Sequence, residues 1–248
     1  MVKNKIDKER KFEYSFSIAP QNCGIRESDL KEFWYCYKND IRAKYARALF
    51  LFGYEQFKRT YWYENLDELR FKVKKIDENC EHPNFQELNE FNYNYISDSI
   101  KICLCFENFF KYKLLQKGYS IHIIDKNSTY KDLDLNKPVE IIKLLKLNSF
   151  NEFDIQQKIP KMRKNTYSLS TMLNNNNDFN TITKIPSKFL GFLSDLNKTR
   201  NNLHNLFALT GKISLERIDI MMRMDKFLQA ELDDEMNYND YLISQKIS

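Results

Sequence analysis

The 248-residue chain is poor in the residues that punctuate a fold, with five glycines and five prolines. Few positions can therefore break a helix or supply the left-handed turns of tight hairpins. The long unpunctuated stretches space their apolar residues helically rather than in alternation, which argues against an all-β chain. Cysteine chemistry is equally thin. Cys23, Cys36, Cys80, Cys103 and Cys105 are odd in number, form no CxxC, and include a pair too close in sequence to bridge comfortably. That usage suits a reducing cytosol and offers neither a disulfide framework nor a zinc site, so no metal and no cofactor is expected. No apolar run approaches the roughly 20 residues of a membrane span, and the opening MVKNKIDKERKFEY is charged where a signal peptide would be apolar. A cytoplasmic chain with no membrane partner is expected.

What the chain does hold is apolar and aromatic material, 42% and 15% of its residues. That suffices for a sizeable core, and residues 1–248 are expected to form a single globular domain, with no repeat and no evident boundary. The net charge of +5 is spread along the chain. It permits a phosphate-rich partner without demanding one.

The expected architecture is all-α, a helical bundle. Ser28 is placed to cap one long helix, or two meeting near Gly53. ENLDELRFKVKKI reads as a shorter helix ending before NCEHPNF. A second long helix runs from about Gln86 to Gln116 and stops at Gly118, well placed for a left-handed C-cap. YSIHIIDKN reads as an extended link in preference to a strand, and Pro138 as the first turn of a helix over KPVEIIKLLKLN. The run of four asparagines at 174–177 reads as an exposed loop tip. Pro186 and Ser187 open a helix to about Leu209, closed by Gly211. SLERIDIMMRMDKFLQAEL is amphipathic, with a polar tail from Asp233.

Two apolar stripes are each interrupted once, by opposite charges. In the helix from Ser187, Phe189, Leu193, Leu196, Leu203 and Phe207 step by three or four, and Arg200 fills the missing place. In the earlier helix, Ile96, Ile100, Cys103, Phe110 and Leu114 are interrupted by Glu107, with Lys111 one turn on. A lone guanidinium on a packed face is costly. A structural pairing of Glu107 with Arg200 accounts for both interruptions, and would make Arg200→Ala cost on the order of 3 kcal/mol or more.

The stretch KTRNNLHNL also permits chemistry. His204 follows Arg200 by four residues, roughly 40° round the helix, so both can reach one site. RNA cleavage needs a group that moves a proton and a cation that holds the phosphate, tasks suited to histidine and arginine. Asn201 and Asn202 can orient either. His82 and His122 are better read as structural. PKMRKN, with Lys161, Arg163 and Lys164, is a candidate phosphate-contacting patch, its plainer role being a solvated turn.

RNNLH within SDLNKTRNNLHNL resembles the signature of the HEPN (higher eukaryotes and prokaryotes nucleotide-binding) domain, an Arg followed by a polar residue and then a His on the same helix. IKICLCFENFFKYKLLQKG is similar to an early core helix of that family. The resemblance implies a HEPN-like core at about 86–232 beneath an N-terminal helical extension at about 28–80. It implies a metal-independent endoribonuclease of a toxin or antiphage-defence system. Arg200, Asn201 and His204 would be the active-site residues, with Asn202, Glu107 and Lys111 supporting them. The implied partners are RNA, a second copy forming a homodimer whose two motifs face one cleft, and an antitoxin or defence-system protein. One departure keeps an alternative open: Arg200 and His204 enclose three residues, fewer than the family's usual gap. The alternative is a catalytically inactive HEPN-like module binding nucleic acid, a nucleotide or a protein partner.

Overall fold

The computed structural model describes residues 39–79, 89–124, 137–146, 162–204 and 214–247. Of these, 84% are helical. In chain order the elements are α1 (Asn39–Lys58), α2 (Tyr61–Glu64), α3 (Leu66–Asn79), α4 (Asn89–Gln116), β1 (His122–Ile124), α5 (Ile141–Lys146), β2 (Met162–Thr166), α6 (Leu169–Asn174), α7 (Asn176–Thr183), α8 (Ser187–His204) and α9 (Leu215–Ile247). The described residues form an all-α bundle with one small antiparallel ribbon. The expected cap at Ser28, residues 80–85 of the NCEHPNF segment and the expected helix end near Leu209 and Gly211 lie outside the described residues.

The chain does not break at Gly53; α1 runs through it to Lys58. The glycine is there for clearance, because a Cβ would sit 3.0 Å from the Cys105 carbonyl oxygen and 3.2 Å from Asn108 Cβ on α4. The turn comes at Thr60, whose hydroxyl accepts the Tyr63 N–H and caps α2. Asp67 and Glu68 occupy the first turn of α3, where carboxylates favour the helix N-terminus. Helix α4 ends as expected. Gly118 takes φ 78°, Tyr119 N donates to Leu114 O at 2.8 Å and Gly118 N to Leu115 O at 3.0 Å, the paired closure of a left-handed cap.

Several expectations give way beyond that cap. YSIHIIDKN is no mere link: His122 pairs with Thr166 and Ile124 with Met162, antiparallel, so the MRKN part of the basic PKMRKN segment lies in a strand instead of a solvated turn. Backbone partners 38 or more residues away supply what local pattern could not. Pro138 does not open a helix, because Val139 O accepts the Ser120 N–H and Ile141 N donates to Gly118 O, delaying α5 to Ile141. The asparagine run joins two helices at Asn175 rather than forming a loop tip. The polar stretch from Asp233 continues as helix α9 to Ile247.

Helix α4 is the central element. Ile102, Phe106, Phe109, Phe110 and Leu114 are wholly buried on it, inside one continuous apolar cluster that also draws on α1, α8 and α9. Four rings close a circuit edge to face: Phe109 to Phe227, Phe227 to Phe189, Phe189 to Phe106 and Phe106 to Phe109, with centroids 5.3, 5.6, 6.3 and 6.2 Å apart. Nearer the start of α4 the buried face differs from the expected stripe. Ile100 is exposed, and Tyr95, Asp98 and Ser99 turn inward instead. Helix α2 is the cause, since the Trp62 ring packs on Tyr95 at 5.4 Å and the Trp62 backbone N–H donates to Asp98 Oδ2 at 3.0 Å.

Candidate functional site

Helix α8 begins just after Pro186, whose carbonyl accepts the Phe189 N–H at 2.9 Å. From that start its spacing buries Phe189, Leu193 and Leu196 against the core and brings Arg200 to the same side one turn later. Arg200 meets α4 there. Its Nη1 lies 3.6 Å from Glu107 Oε2, with the two side chains 22% and 18% exposed. The two opposite interruptions of the apolar stripes therefore face one another.

Glu107 is not Arg200's alone. Lys111, one turn along α4, donates to Glu107 Oε1 at 2.7 Å and is itself 9% exposed. The N–H of Leu169, at the first turn of α6, donates to Glu107 Oε2 at 3.2 Å. Ser168 fixes that turn by accepting the Thr171 N–H. Among the described residues, Glu107 is the one carboxylate within ion-pair distance of either Lys111 or Arg200. Two cations and a helix start thus share a single negative charge. The shorter, hydrogen-bonded contact belongs to Lys111, and the looser one to Arg200.

Around this junction lie groups that sequence reasoning left unassigned. Asn197, one turn before Arg200, is buried; its Nδ2 donates to Ser170 Oγ at 2.9 Å while its Oδ1 has no protein donor. Its spacing from Arg200 was visible in the sequence, but nothing there announced Ser170 as its partner. Cys103, one turn before Glu107, has its thiol pushed up to about 12 by burial, with Arg200 acting weakly in the other direction. It is an unreactive packing group. His122 on β1 is buried and held down at about 4 by burial and by the nearby charge of Lys111. It stays neutral near pH 7 and adds no charge to the junction.

The remaining candidates separate into groups. Asn201 and Asn202 are exposed beside Arg200. His204 is the last described residue of α8 and its side chain is outside the description. Arg163 and Lys164 are described only as backbone of β2, and Lys161 lies outside the described residues. The structure therefore brings together Arg200, Glu107 and Lys111.

Two open cavities lie elsewhere. One of about 450 Å³ is lined by Arg42, Lys113, Lys117, Glu231 and Asp234, where Lys113 pairs with Glu231. The other, about 410 Å³, lies beside Phe71 and Leu215. Among the described residues no group of three or more His, Cys, Asp or Glu is placed to hold a metal ion. No described helix is long and apolar enough to cross a membrane.

The fold class is that of an α-helical bundle with a polar junction between α4, α6 and α8. No protein-family model, no curated protein and no solved structure matches the chain.

Proposed function

We propose that the chain is a HEPN-like, metal-independent endoribonuclease of a toxin or antiphage-defence system, working in the cytoplasm as a homodimer with an antitoxin or defence-system partner. One observation supports this reading above the others. Arg200 is partly exposed and held through a single nitrogen, which leaves guanidinium N–H groups to face a phosphate. Asn201 and Asn202 stand exposed beside it, and His204 follows one turn on, near enough along the helix for acid/base chemistry at the same phosphate. Two copies sharing a two-fold axis would set two such motifs across one cleft.

A second reading rests on the same contact seen from Glu107. If the Glu107–Arg200 pair serves only to fix α8 against α4, the chain is a catalytically inactive HEPN-like module that binds nucleic acid, a nucleotide or a protein partner. Incubation of the purified protein with mixed RNA in chelator separates the two. The nuclease reading predicts cleavage by the parent and none by a folded, dimeric His204→Ala variant. Undiminished cleavage by that variant would take His204 out of the mechanism, and a parent inert in chelator would leave the binding module.

A further inference from the structure

The charge balance at Glu107 assigns a task to a residue that touches no solvent-facing ligand. Lys111 is buried and hydrogen-bonded to Glu107 at 2.7 Å, whereas Arg200 stands at 3.6 Å without a hydrogen bond to it. The Leu169 N–H takes a further share of the same carboxylate. The geometry points to Lys111 as a positioning residue: by neutralising Glu107 it leaves Arg200 tethered but electrically uncompensated, so that the junction carries one net positive charge and accepts one phosphodiester oxyanion of single-stranded RNA.

Without Lys111, Glu107 would neutralise Arg200 and the junction would attract no anion. Without Glu107, the two cations would stand uncompensated and the charge of the junction would rise. The nearby His122 does not alter this balance near neutral pH, since burial and Lys111 keep it unprotonated. The inference rests on the reading of Arg200 as the phosphate-holding cation, and it is independent of whether the bound strand is cut.

The probe is a short 2′-O-methyl RNA strand, which lacks the attacking hydroxyl and reports binding alone. Fluorescence anisotropy on the full chain would compare the parent with Lys111→Met, Glu107→Gln and the double variant across a salt series. Lys111→Met should bind about tenfold more weakly, the scale of one charge-assisted hydrogen bond. Its logarithmic salt slope should fall by about 0.7, the share of one phosphate contact on a single strand. The double variant keeps Arg200 as the one net charge and should regain parental affinity, and Glu107→Gln should bind more tightly than the parent.

A double variant as weak as Lys111→Met would show that Lys111 acts only through packing and would overturn the inference. If Lys111→Met does not fold, Glu107→Gln decides: affinity no higher than the parent's overturns it. A parent that does not bind the strand overturns it as well. The expected affinity series in a protein that leaves unmodified RNA intact would keep the inference and remove the nuclease reading. Cleavage with a flat affinity series would do the reverse.

Discussion

Removing either end of the Glu107–Arg200 pair looks symmetrical in sequence, yet the two losses are expected to differ about threefold or more. Arg200→Ala leaves Glu107 with the Lys111 ammonium at 2.7 Å and the Leu169 N–H at 3.2 Å, so no buried carboxylate is stranded. What disappears is a 3.6 Å contact between side chains 22% and 18% exposed. Such a pair contributes about 1 kcal/mol or less. Glu107→Ala instead leaves Lys111 without its carboxylate at 9% exposure and deprives the first turn of α6 of an acceptor. That costs about 3 to 5 kcal/mol. For a chain of this size each kcal/mol moves the melting midpoint by roughly 2 to 4 °C. Arg200→Ala should therefore melt within about 4 °C of the parent and Glu107→Ala at least about 6 °C below it, read by circular dichroism at 222 nm. The larger cost expected for Arg200→Ala from the sequence assumed a lone partner, and Lys111 removes that assumption. Equal losses, or a larger one for Arg200→Ala, would refute the shared-carboxylate account.

Gly53→Ala should destabilise the chain although alanine is the better helix former by roughly 0.5 to 1 kcal/mol. The added methyl would meet the Cys105 backbone at 3.0 Å, and forcing α1 from α4 costs about 1 to 3 kcal/mol; a melting midpoint at or above the parent's would contradict this. Asp98 is wholly buried, and burial raises its carboxyl above the ordinary 3.8 despite the Trp62 N–H and Lys101. The native state then holds a proton that the unfolded chain has released, so stability from this group is intact below the ordinary value and declines as pH rises through the window above it. Urea melts of Asp98→Asn should lack that decline, and a parent-minus-variant difference that rises with pH would reverse the sign.

The sequence showed what depends on neighbours along one helix. Helix α3, the Gly118 cap and the facing interruptions at Glu107 and Arg200 all follow from spacing within a turn or two. What it hid depends on distant chain. The β1–β2 ribbon needs a partner 38 or more residues on, and the inward turn of Asp98 and Ser99 needs α2 to cover that face. The asparagine run misled because local hydrogen-bonding preference favours turns, while α6 and α7 leave only Asn175 outside a helix. At the candidate site, the charges were legible and their sharing was not: Leu169 and Ser170 come from a helix that no spacing ties to Arg200.

The circuit of Phe106, Phe109, Phe189 and Phe227 bears on uniqueness rather than strength. Each ring meets two neighbours in edge-to-face contacts, at interplanar angles of 62° to 75°. Turning α8 or α9 by one position would break two of these contacts at once, because each of those helices contributes a single ring touched on both sides. Leucines in the same places would bury comparable apolar material and leave the helices free to slide past one another with little loss of energy. A chain so altered would keep its helices and much of its stability but lose its single register, existing as a family of near-equivalent packings.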